Sequence, residues 1–199
     1  MDTAQLFALG LALAWLAGMR VYLTVFGVGL AGALGWVELP AGLEVATSPW
    51  VLGTAGVLML VEFSADKIPG VDSLWDLFHT VLRIPAGAFL ASMAVQDTGE
   101  GGLAMAFAGG GMALASHLLK SGTRAVVNTS PEPASNIGAS LGGDALAVTA
   151  LVFVFHHPWL VLGGLLLVGL VLALGLAWVA RRLFRRRRAP DTGATPAAP

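Results

Sequence analysis

Ten ionisable residues sit in or beside apolar stretches long enough to cross a bilayer. Five are basic (Arg20, Lys67, Arg83, Lys120, Arg124) and five acidic (Glu62, Asp66, Asp72, Asp76, Asp144), with His79 and His117 among them. A charge at the centre of a membrane helix costs about 2.5–3.5 kcal/mol on insertion scales, so each must pair, reach water or do chemistry. The balance of signs suits a buried ion-pair network, because an unpaired buried charge is far costlier than a paired one. It suits a proton or ion relay equally well.

Spacing gathers these groups onto helix faces. At about 100° per residue, Asp72, Asp76, His79 and Arg83 share one face. His117, Lys120, Ser121, Arg124 and Asn128 form a second stripe, Asn136, Ser140 and Asp144 a third, and Glu62 with Asp66 a short fourth. Arg20 and Thr24 share a face of the first apolar segment. The opposite faces are Leu, Val, Ala, Phe and Gly, so the stripes predict one polar centre, open to the cytoplasm, with apolar backs toward lipid. The candidates for binding a substrate or ion are Arg20, Glu62, Asp66, Lys67, Asp72, Asp76, His79, Arg83, His117, Lys120, Arg124, Asn128, Asn136 and Asp144. Arg20, Lys120 and Arg124 would take negative charge. Asp76, Asp144, Glu62 and the histidines would pair with them or carry protons, His79 and His117 titrating near neutral pH. Lys120 and Arg124, one turn apart, repel unless an anion lies between them. Asp144, Asp76 or a bound phosphate would serve.

Several of these groups have a plainer reading. Asp66 and Lys67, at a membrane edge, read as loop or snorkelling charges. Asp72 and Ser135 read as helix N-caps. His156 and His157, before Pro158, read as an interfacial turn. Arg20, deep in apolar chain, has no such explanation. Asp72, Asp76 and His79, with His117, have a spacing that could hold a cation, but five nearby bases argue against a cage, and neither metal nor cofactor is expected. With no cysteine, disulfides and thiolate chemistry are excluded. There is no P-loop, G-x-S-x-G, H-E-x-x-H or Rossmann glycine pattern, so nothing points to an enzyme.

These groups need membrane helices to position them. The chain has 199 residues, of which 56% are hydrophobic and 12% charged, against about 25% charged in soluble domains. Six apolar segments emerge, each near or above the roughly 20 residues of a span: about Ala4–Gly35, Pro49–Asp66, Asp72–Val95, Leu103–Asn128, Ala134–Phe155 and Pro158–Phe184. The first would be about 48 Å long as one helix, so it must tilt strongly or break near Gly18. Pro85 predicts a kink in the third. The N-terminus lacks a basic n-region and reads as the first membrane segment, not a signal peptide. The expected fold is all-α, a bundle of about six transmembrane helices in one domain over 1–184, with a basic, then disordered, tail over 185–199.

The arginine cluster Arg181–Arg188 places the C-terminus in the cytoplasm of a plasma (inner) membrane protein. Segments 36–48, 97–102 and 156–157 then face outside, and 67–71 and 129–133 inside. Six spans would put the N-terminus inside too, a parity that a true break in the first segment would change. Two stretches share a plan: a helix ending in charges, a Pro-containing inner turn, then a capped helix. That plan allows an internal repeat, a common transporter architecture.

The strings Gly18-Met-Arg-Val-Tyr-Leu-Thr, Glu62-Phe-Ser-Ala-Asp-Lys-Ile-Pro-Gly-Val-Asp-Ser, His117-Leu-Leu-Lys-Ser-Gly-Thr-Arg and Asn128-Thr-Ser-Pro-Glu-Pro-Ala-Ser-Asn resemble a family of bacterial and plastid-type membrane proteins catalogued as domain of unknown function 4126. The resemblance spans roughly Gly18 to Asp144. It implies a multi-pass membrane protein and the same polar residues, and no activity. The leading expectation is a small transporter or channel for an ion or small anionic solute, with proton coupling open. Alternatives are binding or translocation of a phospholipid or polyprenyl-phosphate head group, and a structural protein with a closed salt-bridge network. The expected partners are membrane lipids and an ion, small anion or head group. No nucleic acid is expected, and a homodimer is compatible with the 20.4 kDa mass.

Overall fold

The computed structural model describes residues 1–68, 71–99, 101–127 and 133–187, with side chains except at 72–73, 133–136 and 183–187. Of the predicted site residues, Asn128 and the side chains of Asp72 and Asn136 lie outside the described residues.

The described chain is helical: α1 (Thr3–Met19), α2 (Val21–Ala33), a 3₁₀ turn (Ala41–Thr47), α3 (Pro49–Ala65), α4 (Val71–Ala94), a short 3₁₀ turn (Gln96–Thr98), α5 (Gly102–Val127), α6 (Pro133–Val154) and α7 (Pro158–Arg187). By length and hydropathy α4, α5, α6 and α7 can each cross a membrane, and the Ala41–Thr47 turn with α3 forms a pair bent by 67°, a broken span or a re-entrant loop. The protein is therefore an all-helical membrane protein. α4 continues through Pro85, where the ring removes the N–H that would bond one turn back. α4 already runs at Val71 and α6 at Pro133, so Asp72 and Ser135 lie in first turns rather than at caps. α7 extends to Arg187, past the expected start of the tail.

The first apolar segment is not one tilted helix; it is broken close to Gly18, as the second alternative had it. It breaks at Arg20, which caps α1 and α2 with φ −146° and ψ 80°. α1 starts beside the α4–α5 junction: Phe7 approaches Gly101, and Gly10 packs on Ala91 and Met105. Its other end meets the middle of α5, where Gly18 abuts Ala113 and Ser116. α2 then runs back. Gly29 touches the Ala46 carbonyl, and the following 3₁₀ turn returns to the α4–α5 junction through Ala41 N–H to Asp97 (3.0 Å) and Gly42 against Met93. Both ends of the pair thus lie at the Asp97 end of the bundle, with Arg20 at the inner apex. The start of α1 and the Arg187 end of α7 consequently sit at opposite ends of the bundle, the odd parity that a break in this segment produces.

α1 is apolar all round because it is buried all round: Ala8–Gly10 and Ala12–Gly18 are enclosed by neighbouring helices. That burial is what permits a helix to stop inside a membrane, since irregular backbone there must be covered by protein. The backbone groups of Arg20 itself are satisfied. The Arg20 N–H donates to Leu16 (2.7 Å), and the Arg20 carbonyl accepts from the Thr24 N–H (3.0 Å) and hydroxyl (2.7 Å). Gly18 is needed for close approach: a Cβ there would collide with the Ala113 carbonyl and Ser116. The Ser116 hydroxyl donates to the Trp15 carbonyl at 2.8 Å. Gly87 and Gly109 play the same part where α4 crosses α5. The outer helices present apolar backs, with Phe78, Val81, Leu103 and Phe107 all about three-quarters exposed.

Candidate functional site

The inner ends of α3, α4, α5 and α6 meet the Arg20 apex, and their polar stripes form one network with two centres. The first is Arg83, 0% exposed. Its Nη2 donates to Glu62 Oε1 (2.8 Å), and its Nη1 donates to Asp76 Oδ1 (2.7 Å) and His117 Nδ1 (2.8 Å). Because guanidinium only donates, His117 must accept at Nδ1. Its Nε2 then carries the proton toward Thr80 Oγ1 (2.7 Å), whose own proton goes to the Asp76 carbonyl (2.8 Å). Neighbouring hydrogen bonds therefore fix the tautomer.

The second centre is Asp66, also 0% exposed. Its Oδ2 contacts Arg20 Nη1, Lys120 Nζ (3.2 Å) and Arg124 Nη2 (3.1 Å). Arg124 Nη1 also donates to the Asp66 carbonyl at 3.2 Å. Arg20 Nη2 reaches Asp144 Oδ1 (2.6 Å) and Ser140 Oγ (3.3 Å). Lys67 contacts Asp144 Oδ2 at 3.5 Å from the rim and donates to the Phe63 carbonyl at 3.0 Å. Lys120 joins the two centres, its Nζ 3.2 Å from Asp76 Oδ1.

The edge reading of Asp66 is corrected here: it is the most shared anion in the network, whereas Lys67 stays at the rim with 24% of its side chain exposed. The carboxylate between Lys120 and Arg124 is Asp66, with Asp76 also on Lys120; Asp144 instead serves Arg20 and Lys67. His79 stands outside the ion pairs. It stacks on Trp75 (ring centroids 4.0 Å apart), its Nδ1 lies 2.8 Å from the Trp75 carbonyl, and its Nε2 lies 3.0 Å from the Tyr22 hydroxyl. Tyr22, Thr80 and Ser140 complete bonds in this region and were not among the predicted site residues. Ser140 had a signal in its spacing to Asp144; Thr80 is one turn beyond Asp76; Tyr22 follows Arg20 by two and is found only through the break.

The two centres differ in what adjoins them. Beside Asp66 lies a cavity of about 250 Å³ between α1, α5, α6 and α7. Arg20, Lys120 and Arg124 reach it, with Ser140 and Thr123; the rest of its wall is largely apolar. Ser121, grouped by spacing with the polar stripe, does not line it. The two junctions that share a sequence plan adjoin through the Asp66–Arg124 and Lys67–Asp144 contacts, while the turns themselves, 69–70 and 128–132, lie outside the described residues. Among the described residues, no group of three or more His, Asp and Glu side chains could hold a metal.

Chemically, the arrangement offers three cations around one carboxylate oxygen at the edge of a low-dielectric cavity. Such a centre exchanges ion-pair partners; it shows no activated nucleophile. No curated protein and no solved structure matches the chain. The family model described as "Domain of unknown function (DUF4126)" matches residues 7–182, and the chain therefore belongs to the DUF4126 family.

Proposed function

We propose that the protein is a small membrane transporter or channel for an anionic solute, with Arg20, Lys120 and Arg124 as the binding groups and Asp66 as the internal anion they share. The carrying observation is the break at Arg20. A helix pair that enters and leaves at one end of the bundle, with a guanidinium at its apex beside a cavity, is the arrangement by which discontinuous helices build substrate sites in transporters. An incoming anion would replace Asp66 or Asp144 as partner to one or more cations, so the charges need never be bare. Asp76 Oδ2 and Glu62 Oε2 are buried with no hydrogen-bond partner among the described residues. The arginine-rich C-terminal end of α7 lies at the Asp66 end, so the positive-inside rule opens this centre toward the cytoplasm of a plasma (inner) membrane.

The absence of cysteine makes the test direct. A single cysteine at Thr123, on the cavity, should react with a membrane-impermeant thiol reagent, while one at Val81, on a lipid-facing back, should not. Labelling of the Thr123 position from both faces of oriented vesicles supports transport. Labelling from neither face sinks the proposal and leaves the structural reading, a sealed salt-bridge core.

A further inference from the structure

We infer that the solute is an amphiphile: one anionic head, carboxylate or phosphate, and a single hydrocarbon chain. This rests on the reading of Arg20, Lys120 and Arg124 as an anion site and adds what the rest of the cavity says. Beyond the cations, the wall is made by Trp15, Leu119, Leu146, Val168 and Leu172. A small inorganic anion gains nothing from such a wall, whereas a hydrocarbon chain leaves water against it. At about 250 Å³ the cavity falls just under the roughly 300–1,000 Å³ of typical small-molecule pockets, which suits one short chain and not a two-chain phospholipid.

The α6 wall is thin. Gly142 and Gly143 line the cavity, and a Cβ at either would meet no atom within 4 Å. Gly142 is exposed on the bundle surface, so a chain has a lateral way in from lipid. The opposite wall is fixed: the Trp15 indole packs against Gly169, where any side chain would collide with it. Charge complementarity sets the polarity of the occupant. Arg20, Lys120 and Arg124 converge on a single oxygen of Asp66 and all three line the cavity, so its polar end is cationic.

The test is native mass spectrometry of the detergent-purified full chain titrated with laurate, dodecyl phosphate, acetate, inorganic phosphate and dodecyltrimethylammonium. We expect one laurate or dodecyl phosphate per chain, bound at least tenfold tighter than acetate or phosphate, and no adduct with the ammonium amphiphile. The tighter of the two dodecyl ligands names the head. Val168→Trp, which fills the cavity and leaves every charge in place, should weaken dodecyl binding at least tenfold. Leu172→Trp is the second variant if the first does not fold. In parallel, 11-bromoundecanoate should quench a fraction of tryptophan fluorescence that disappears in Trp15→Phe. If acetate and phosphate bind as tightly as the dodecyl ligands, the amphiphile is wrong while the anion site stands. Equal binding of dodecyltrimethylammonium overturns both. Unchanged dodecyl affinity in the folded tryptophan variants places the chain elsewhere and overturns the inference.

Discussion

Arg83 and Asp66 anchor two halves of one buried network, the first drawn from α3, α4 and α5, the second from the Arg20 apex, the end of α3, α5 and α6. Around Arg83, the guanidinium holds two carboxylates and a histidine. Around Asp66, three cations crowd one oxygen and reach a cavity. The helices repeat the contrast. α1, α4 and α5 meet through glycines whose Cβ would collide with a neighbour (Gly18, Gly87, Gly109), while Gly138, Gly142 and Gly143 of α6 face open space. The α1–α4–α5 trio is thus closely packed, whereas α6, which borders the cavity, is loosely packed at these glycines.

Removing Arg83 should have the largest effect. Arg83→Met strands Glu62 in the interior and leaves Asp76 with Lys120 as its cation, and breaking a buried pair in this way costs about 3–5 kcal/mol. Thermal unfolding in detergent should show the loss; a near-wild-type melting curve would erase the distinction between the two halves. Arg124→Ala should act on binding instead of folding, because Asp66 keeps Arg20 and Lys120. Loss of a charge-assisted hydrogen bond worth about 1.5–3 kcal/mol predicts a tenfold or greater fall in affinity for laurate or phosphate, read by titration. Unchanged affinity removes Arg124 from the site.

The packing contrast is tested by one substitution on each side. Gly109→Leu overpacks the α4–α5 crossing and should cost about 1–3 kcal/mol, whereas Gly142→Leu should stay within about 0.5 kcal/mol of wild type in the same unfolding assay. Equal costs would mean that α6 is held as firmly as the trio. At the rim, Lys67→Gln should cost under about 1 kcal/mol. His156→Ala, at the exposed turn before α7, should leave both unfolding and binding as they are.

Much of the network was legible because helical spacing is local. Asp76 and Arg83 on α4, or His117, Lys120 and Arg124 on α5, share a face by sequence interval alone, and the cost of a charge in lipid requires those faces to meet. Which acid takes which base was not legible. Asp66 looked like an edge residue because its own helix ends beside it; it is buried because α5, α6 and the Arg20 apex close over that end. The Lys120–Asp66 and Arg20–Asp144 pairs join residues 54 and 124 positions apart (120 − 66 and 144 − 20), and no helical period relates such positions.

Composition and run length alone determined an all-helical membrane protein with polar faces turned inward, since lipid accepts neither bare charge nor unpaired backbone. Spacing alone also identified Arg20 as out of place. That the first apolar segment turns back at Arg20, that Asp66 is the shared anion, and that an apolar cavity adjoins the cations were decided only by the tertiary structure. A helix can end within a membrane, and a carboxylate can serve three cations, only where other helices supply the cover and the partners.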